Sequence, residues 1–357
     1  MRFTTPVVIV LMAAALLTGC SSPQGPDQAE PDNRSQTTET ATFPTGPDQT
    51  ERDSWSGVIE TAVEALPGVV EASHTFQYHP YGPNSYYTSK LDVRLDDGVT
   101  PAETAAVVRV LGAQQLPPHY RGDSTLVKIR RMADSFFGSW PFGQDVAVEA
   151  DAASTWTRLS LADTGAEIHW TTHGVQAAAG ADISVRAGSE AEPRRATAAM
   201  RRIIQDFPEL ASNDWTVSPV HGESMSEQYS RLEPAPAHSN RRPRFPADGE
   251  LEVWEWFLTD QPMPFIVEVS VFDPPATAGR ALDITVFPPV GEEFSAAQAT
   301  QLADRHLRHL SQRGGVVDYT IVMRNGPGFA VLVGGCPESA REVAPESEPF
   351  ARQYERC

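Results

Sequence analysis

The chain has 357 residues, with 28 Lys+Arg against 47 Asp+Glu and a formal charge of −19 at pH 7. Its 40% apolar share and 25 glycines exclude global disorder, and its length allows two or three hydrophobic cores. The acidic balance argues against a nucleic-acid partner, because phosphate binding needs basic residues gathered on one face.

Arg2 supplies a minimal positive start, and Val7 to Leu17 is an apolar run. That run is too short to cross a bilayer, which takes roughly 20 residues, and it reads as the core of a signal peptide over 1–19. Its ending, Leu17-Thr18-Gly19-Cys20, resembles the lipobox of bacterial lipoproteins. The resemblance implies cleavage before Cys20 and a diacylglyceryl thioether on its sulfur, with further acylation such as palmitate. It places the chain on the outer face of the cell membrane, where two or more acyl chains hold a protein stably. Lys90 and Lys128 are the only lysines, and this arginine-dominated usage fits a GC-rich bacterial source.

Residues 20–54 read as a disordered tether. They are rich in Pro, Gln, Thr and acids, and Phe43 is their only aromatic residue, so they cannot bury enough apolar area to offset ordering. After Cys20 only Cys336 and Cys357 remain, an even pair that an exported chain is expected to join as a disulfide.

The remainder reads as related α+β modules. Leu91–Leu95, Ala181–Val185 and Leu282–Val286 are short alternating strands, each with an aspartate second: Asp92, Asp182 and Asp283. An Ala-rich amphipathic helix follows each strand, over about Pro101–Leu116, Pro193–Phe207 and Ser295–Leu310, and then another strand. Ser54–Leu66 reads as a helix before the strand Val69–Tyr78, with Glu250–Leu258 as its counterpart in the third module. The middle module reads differently, with Asp145–Ala150 and Thr155–Leu161 as strands. The expected fold is therefore α+β, two or three small sandwich modules of ferredoxin-like type after the tether. The boundaries are 55–135 for module 1, 140–222 for a strand-richer module 2, 223–249 for a linker, and 250–357 for module 3 with a C-terminal hairpin and tail.

Searching for chemistry yields little. GxSxG, HExxH, SxxK, P-loop and EF-hand patterns are absent, so no catalytic residue, metal or cofactor is assigned. His306 and His309 lie three apart on a helix, but His306 falls on its apolar stripe and reads as a core histidine. Tyr81, Tyr86 and Tyr87 stand in a proline-containing loop region, and aromatic rings with polar tips suit sugar or protein contacts. Arg194, Arg195, Arg201 and Arg202 share one side of a helix and could meet anionic envelope material, or could pair with local acids. The expectation is a non-catalytic, membrane-anchored binding or scaffold protein contacting an envelope protein or wall polymer. An accessory subunit of an envelope complex, and a small-ligand carrier or enzyme with an inter-module site, are the alternatives.

Overall fold

The structure, a computed structural model, describes residues 48–79, 86–114, 125–131, 135–140, 142–143, 145–162, 166–172, 181–187, 193–219, 230–234, 244–272, 280–323, 328–337 and 344–357. The expected signal peptide and nearly all of the expected tether lie outside them.

Helix starts follow from local capping. Asp48 accepts from the Glu51 amide at 2.8 Å and opens α1 (Gln49–Glu64). Thr100 and Glu103 form a reciprocal capping box at α2 (Pro101–Ala113), whose first residue is a proline that has no amide hydrogen to lose. Asp145 caps α3 (Val146–Leu161) by accepting from the Val148 amide. Glu250 reaches back to the Ala247 amide at 2.7 Å at the start of α5 (Asp248–Thr259). Ser295 and Gln298 box the start of α6 (Ala296–Arg313), which Gly314 ends at φ 74°. The other helices are α4 (Pro193–Asp206) and α7 (Glu348–Tyr354).

Among the described residues, twelve strands form one sheet in chain order: β1 (Val69–His79), β2 (Tyr86–Leu95), β3 (Thr125–Arg131), β4 (Ser135–Ser139), β5 (Glu167–Thr172), β6 (Ala181–Arg186), β7 (Asp214–Ser218), β8 (Arg231–Pro234), β9 (Ile266–Val271), β10 (Arg280–Phe287), β11 (Val316–Ile321) and β12 (Phe329–Val333). The order helix–strand–strand–helix–strand–strand occurs three times. Within each repeat the strand pairs run antiparallel, parallel, antiparallel. Between repeats, β4 pairs parallel with β5 and β8 with β9.

The α+β class holds, while the arrangement differs from separate ferredoxin-like sandwiches. A split βαβ unit places another strand between its two parallel strands. Here β2 and β3, joined through α2, are direct neighbours, as are β6 with β7 and β10 with β11. The middle repeat also needs correction, because Val146–Leu161 is one helix rather than two strands. Its core side carries Glu149, Thr157 and Ser160 beside Ala153, Trp156 and Leu159, and these polar residues hide the helical period. Glu149 is accommodated because its carboxylate accepts from the Gly143 amide at 3.1 Å. Arg231–Pro234, inside the expected linker, is a strand that carries the sheet from the second repeat to the third. At the other end, residues 49–54 of the expected tether belong to α1.

One face of the sheet is covered by helices. The α2–α3 contact is tight and small: the Thr157 hydroxyl donates to Thr104 Oγ1 at 2.9 Å, and a Cβ on Gly112 would stand 2.3 Å from Val146 Cγ2. The α4–α5 contact is ionic, with Arg194 and Arg201 on Glu255 and Arg201 also on Asp248. The repeat aspartates lie on the opposite face. Asp92 pairs with Arg130 at 2.8 Å, while Asp182 and Asp283 stand in register with Asp214 and Asp318.

Candidate functional site

The strongest site is in the first repeat, at the edge of the sheet. Among the described residues β1 pairs only with β2, so its outer edge presents backbone donors to α1, which covers them. Ser56, Glu60 and Glu64 recur every four residues and so share one stripe of α1. Glu60 accepts the His74 backbone amide at 2.7 Å, and Glu64 accepts that of Ala72 at 3.4 Å. Ser56 Oγ lies 3.0 Å from His74 Nδ1. On the other side of the ring, Nε2 is 2.6 Å from Ser89 Oγ.

His74 is only 5% exposed, and burial pushes its pKa down to about 4. At neutral pH the ring is uncharged, with one N–H donor and one lone-pair acceptor. The two serine hydroxyls complete both, giving an uncharged chain Ser56–His74–Ser89. An edge-on contact with the Phe76 ring at 4.5 Å holds the imidazole on a third side.

This chain separates two hollows. On the Ser89 side is a cavity of about 500 Å³ lined by Ile59, Leu91, Leu111, Val127 and Phe142, with His74, Ser89, Gln114 and Thr125 as its polar members. On the Ser56 side is a more polar hollow of about 340 Å³ that includes Arg52, Asp53 and Glu60. The larger cavity has a cause in the sequence. The helix α1 gives the core only Ile59 and Val63, whereas α3 supplies Trp156 and α5 supplies Trp254 and Phe257. Where the later repeats place large aromatic rings, the first places small aliphatic chains.

Register identifies His74 as the odd member of its repeat position. It pairs with Leu91, next to Asp92; the equivalent residues are Thr172 beside Asp182 and Val271 beside Asp283. The histidine was missed in the sequence because a polar residue in an alternating strand is unremarkable. The signal that could have found it is a comparison of the repeats, which sets His74 against Val271 at a core position.

The other sequence candidates are placed as follows. Cys20 and Tyr81 lie outside the described residues, as does the side chain of Tyr86. Tyr87 is buried, and its hydroxyl accepts from Arg52 at 3.3 Å. Arg194 pairs with Glu255 at 3.1 Å, and Arg201 with Asp248 at 2.5 Å. Arg195 and Arg202 are exposed on the same helix, and both have partners of their own. Arg194 and Arg201 thus face the acids of α5. Cys336 and Cys357 are joined as a disulfide with Cα atoms 4.8 Å apart.

His306 sits in the core of the third repeat, where burial pushes its pKa down to about 3. Burial raises the pKa of the Tyr319 phenol and keeps it protonated, and its hydroxyl lies 2.6 Å from His306 Nδ1, in hydrogen-bond contact. His309 stacks flat on Trp256 at 3.8 Å. On the open face, Lys128, Phe136 and His169 stack across three strands, with the ammonium 4.4 Å from the phenyl centroid and the two rings 4.3 Å apart. Among the described residues, no group of three or more His, Cys, Asp or Glu is arranged to hold a metal. No described helix is long and apolar enough to cross a membrane.

Comparison with protein-family models finds no match, and comparison with curated proteins finds no similar chain.

Proposed function

We propose that the protein is an exported, lipid-anchored carrier or sensor that binds a small, mainly apolar molecule in the cavity of its first repeat. The observation that carries this reading is the cavity of about 500 Å³, whose wall combines the apolar side chains of Ile59, Leu91, Leu111, Val127 and Phe142 with the polar groups of His74, Ser89, Gln114 and Thr125. Ligand pockets typically combine about 300–1,000 Å³ of mainly apolar space with a few polar groups that fix orientation. Support for anchoring comes from the lipobox-like Leu17–Cys20 segment, and the disulfide agrees with an oxidising compartment. The three repeats are read as modules of one body, the first adapted for binding and the other two filled with aromatic side chains.

Binding fits the site better than catalysis. A serine beside a histidine is the start of an acyl-transfer apparatus, but such a histidine needs a partner that stabilises its charged form. Here the second ring nitrogen meets Ser56, an uncharged group, and burial holds the imidazole neutral down to about pH 4.

The test uses the full chain carrying Cys20→Ser and the dye N-phenyl-1-naphthylamine, which brightens in apolar surroundings. Saturable, one-to-one dye binding is expected, and Ile59→Phe, which fills the cavity, is expected to weaken it at least tenfold. Equal dye binding by the Ile59→Phe variant would contradict the reading. Release of the Cys20→Ser chain from membranes is the corresponding result for the anchor.

A further inference from the structure

We infer that this cavity selects a neutral ligand bearing a hydroxyl group, such as a medium-chain alcohol, and discriminates against the corresponding carboxylate. The inference rests on the binding role proposed above and goes on to name the chemistry of the ligand.

The argument starts from hydrogen-bond accounting along Ser56–His74–Ser89. A neutral imidazole donates from one nitrogen and accepts at the other, so the chain can run in two directions. In one direction Ser89 donates its proton to Nε2 and offers lone pairs to the cavity. In the other direction Nε2–H donates to Ser89 and the Ser89 proton is free to point into the cavity. Both use the observed separations of 3.0 and 2.6 Å and leave neither ring nitrogen unpaired. A ligand hydroxyl, which both donates and accepts, matches either direction. An ether or ketone oxygen matches only one.

Charge is the second filter. Among the described residues, none lining this cavity carries a formal charge at neutral pH: the polar members are His74, Ser89, Gln114 and Thr125. Moving a carboxylate from water into such a site is unfavourable, and no guanidinium or ammonium among the described lining residues offsets it. The charged groups nearest the chain, Arg52, Asp53 and Glu60, line the other hollow, on the far side of the imidazole. The imidazole therefore carries hydrogen bonding into the cavity while these three charged groups line the hollow beyond it.

Size sets the third condition. At about 30 Å³ for each water-sized group, the cavity holds on the order of 15 of them, enough for a medium-length chain with a single polar end.

The test measures displacement of N-phenyl-1-naphthylamine from the full chain carrying Cys20→Ser by three compounds of similar size at pH 7.5: 1-octanol, 1-methoxyheptane and octanoate. Octanol is expected to displace at a concentration about five- to tenfold below that of the isosteric ether, and octanoate to be weakest. Ser89→Ala should bring octanol and ether together, and Ser89→Thr, which keeps the hydroxyl, should restore the difference. Octanoate displacing as well as octanol would overturn the inference. So would an octanol-to-ether ratio unchanged by Ser89→Ala, or a bound dye that none of the three displaces. A dye that never enters the cavity would instead refute the binding role itself.

Discussion

His74 and Val271 occupy the same position in two repeats of one fold. Each faces, across its hairpin, the leucine that precedes the repeat's aspartate: His74 opposite Leu91, and Val271 opposite Leu282. One repeat has an aliphatic residue there and the other an imidazole bound by two hydroxyls. Replacing His74 by valine alone leaves Ser89, itself buried, without its ring partner. A buried polar group stripped of its partner costs about 1–3 kcal/mol, whereas removing all partners together is nearly neutral. His74→Val is therefore expected to lower urea stability at pH 7.5 by about 1–2 kcal/mol, and His74→Val with Ser56→Ala and Ser89→Ala to recover most of it. Equal losses in the single and triple variants would show that the chain of hydroxyls contributes nothing.

Buried neutral histidines make the fold sensitive to acid. The unfolded value is 6.5, and the folded values are about 4 for His74 and about 3 for His306. Protons then bind the unfolded chain first, so the stability these residues contribute is present above pH 6.5 and is lost as pH falls towards the folded values. Around His306, Asp260 favours the charged ring while Arg305 and His309 oppose it, and burial dominates. Around His74, Glu60 is engaged by the backbone amide, and the two ring nitrogens face serine hydroxyls. Between pH 6.5 and 4.5 each histidine should account for a loss on the order of 2 kcal/mol. Urea melts over that range should show this slope, reduced in the His74→Val triple variant. A flat profile would contradict it.

Close packing of α2 on α3 depends on Gly112. A Cβ there meets both methyls of Val146 at 2.3 and 2.5 Å and its Cβ at 3.0 Å, a short side chain with little room to give. Gly112→Ala should gain up to about 1 kcal/mol in helix propensity yet lose more in overpacking, for a net loss of about 1–2 kcal/mol. Pairing it with Val146→Ala should relieve the clash, and thermal melts of the single and double variants measure the difference.

The C-terminal disulfide spans a sequence separation of 21 and fastens α7 beside the last strand. Two backbone bonds, Gly334 N–H to Tyr354 O and Arg356 N–H to Gly335 O, hold the same junction. Reduction, or Cys336→Ser with Cys357→Ser, is expected to cost about 3 kcal/mol through the added freedom of the unfolded chain. Denaturant melts with and without reductant check this value.

Much of this architecture can be read along the chain. The aspartate-bearing strands, the proline- and serine-started helices Pro101–Ala113, Pro193–Asp206 and Ala296–Arg313, and the Cys336–Cys357 pair all lie where local pattern puts them. The middle helix was hidden for a physical reason. Asp145-Val146-Ala147-Val148-Glu149-Ala150 reads like a strand, and the burial of Glu149 becomes tolerable once the chain folds and its carboxylate accepts from the Gly143 amide. The strand Ser135–Ser139 has two adjacent phenylalanines among small residues, and Arg231–Pro234 is four residues long, so neither carries a period. The site was hidden because it is a relation between elements. Ser56, His74 and Ser89 are 18 and 15 residues apart, and they meet only once α1 folds over the sheet edge.

The central claim is that a small neutral molecule binds against His74, and imidazole nitrogen-15 NMR reads that atom directly. His306 is the internal control, a second buried neutral histidine whose Nδ1 partner is Tyr319 in a different repeat. On titration with 1-octanol at pH 7.5, the His74 Nδ1 and Nε2 signals are predicted to shift saturably while those of His306 stay fixed. His74 signals that do not move, or that move only in step with those of His306, would contradict the account.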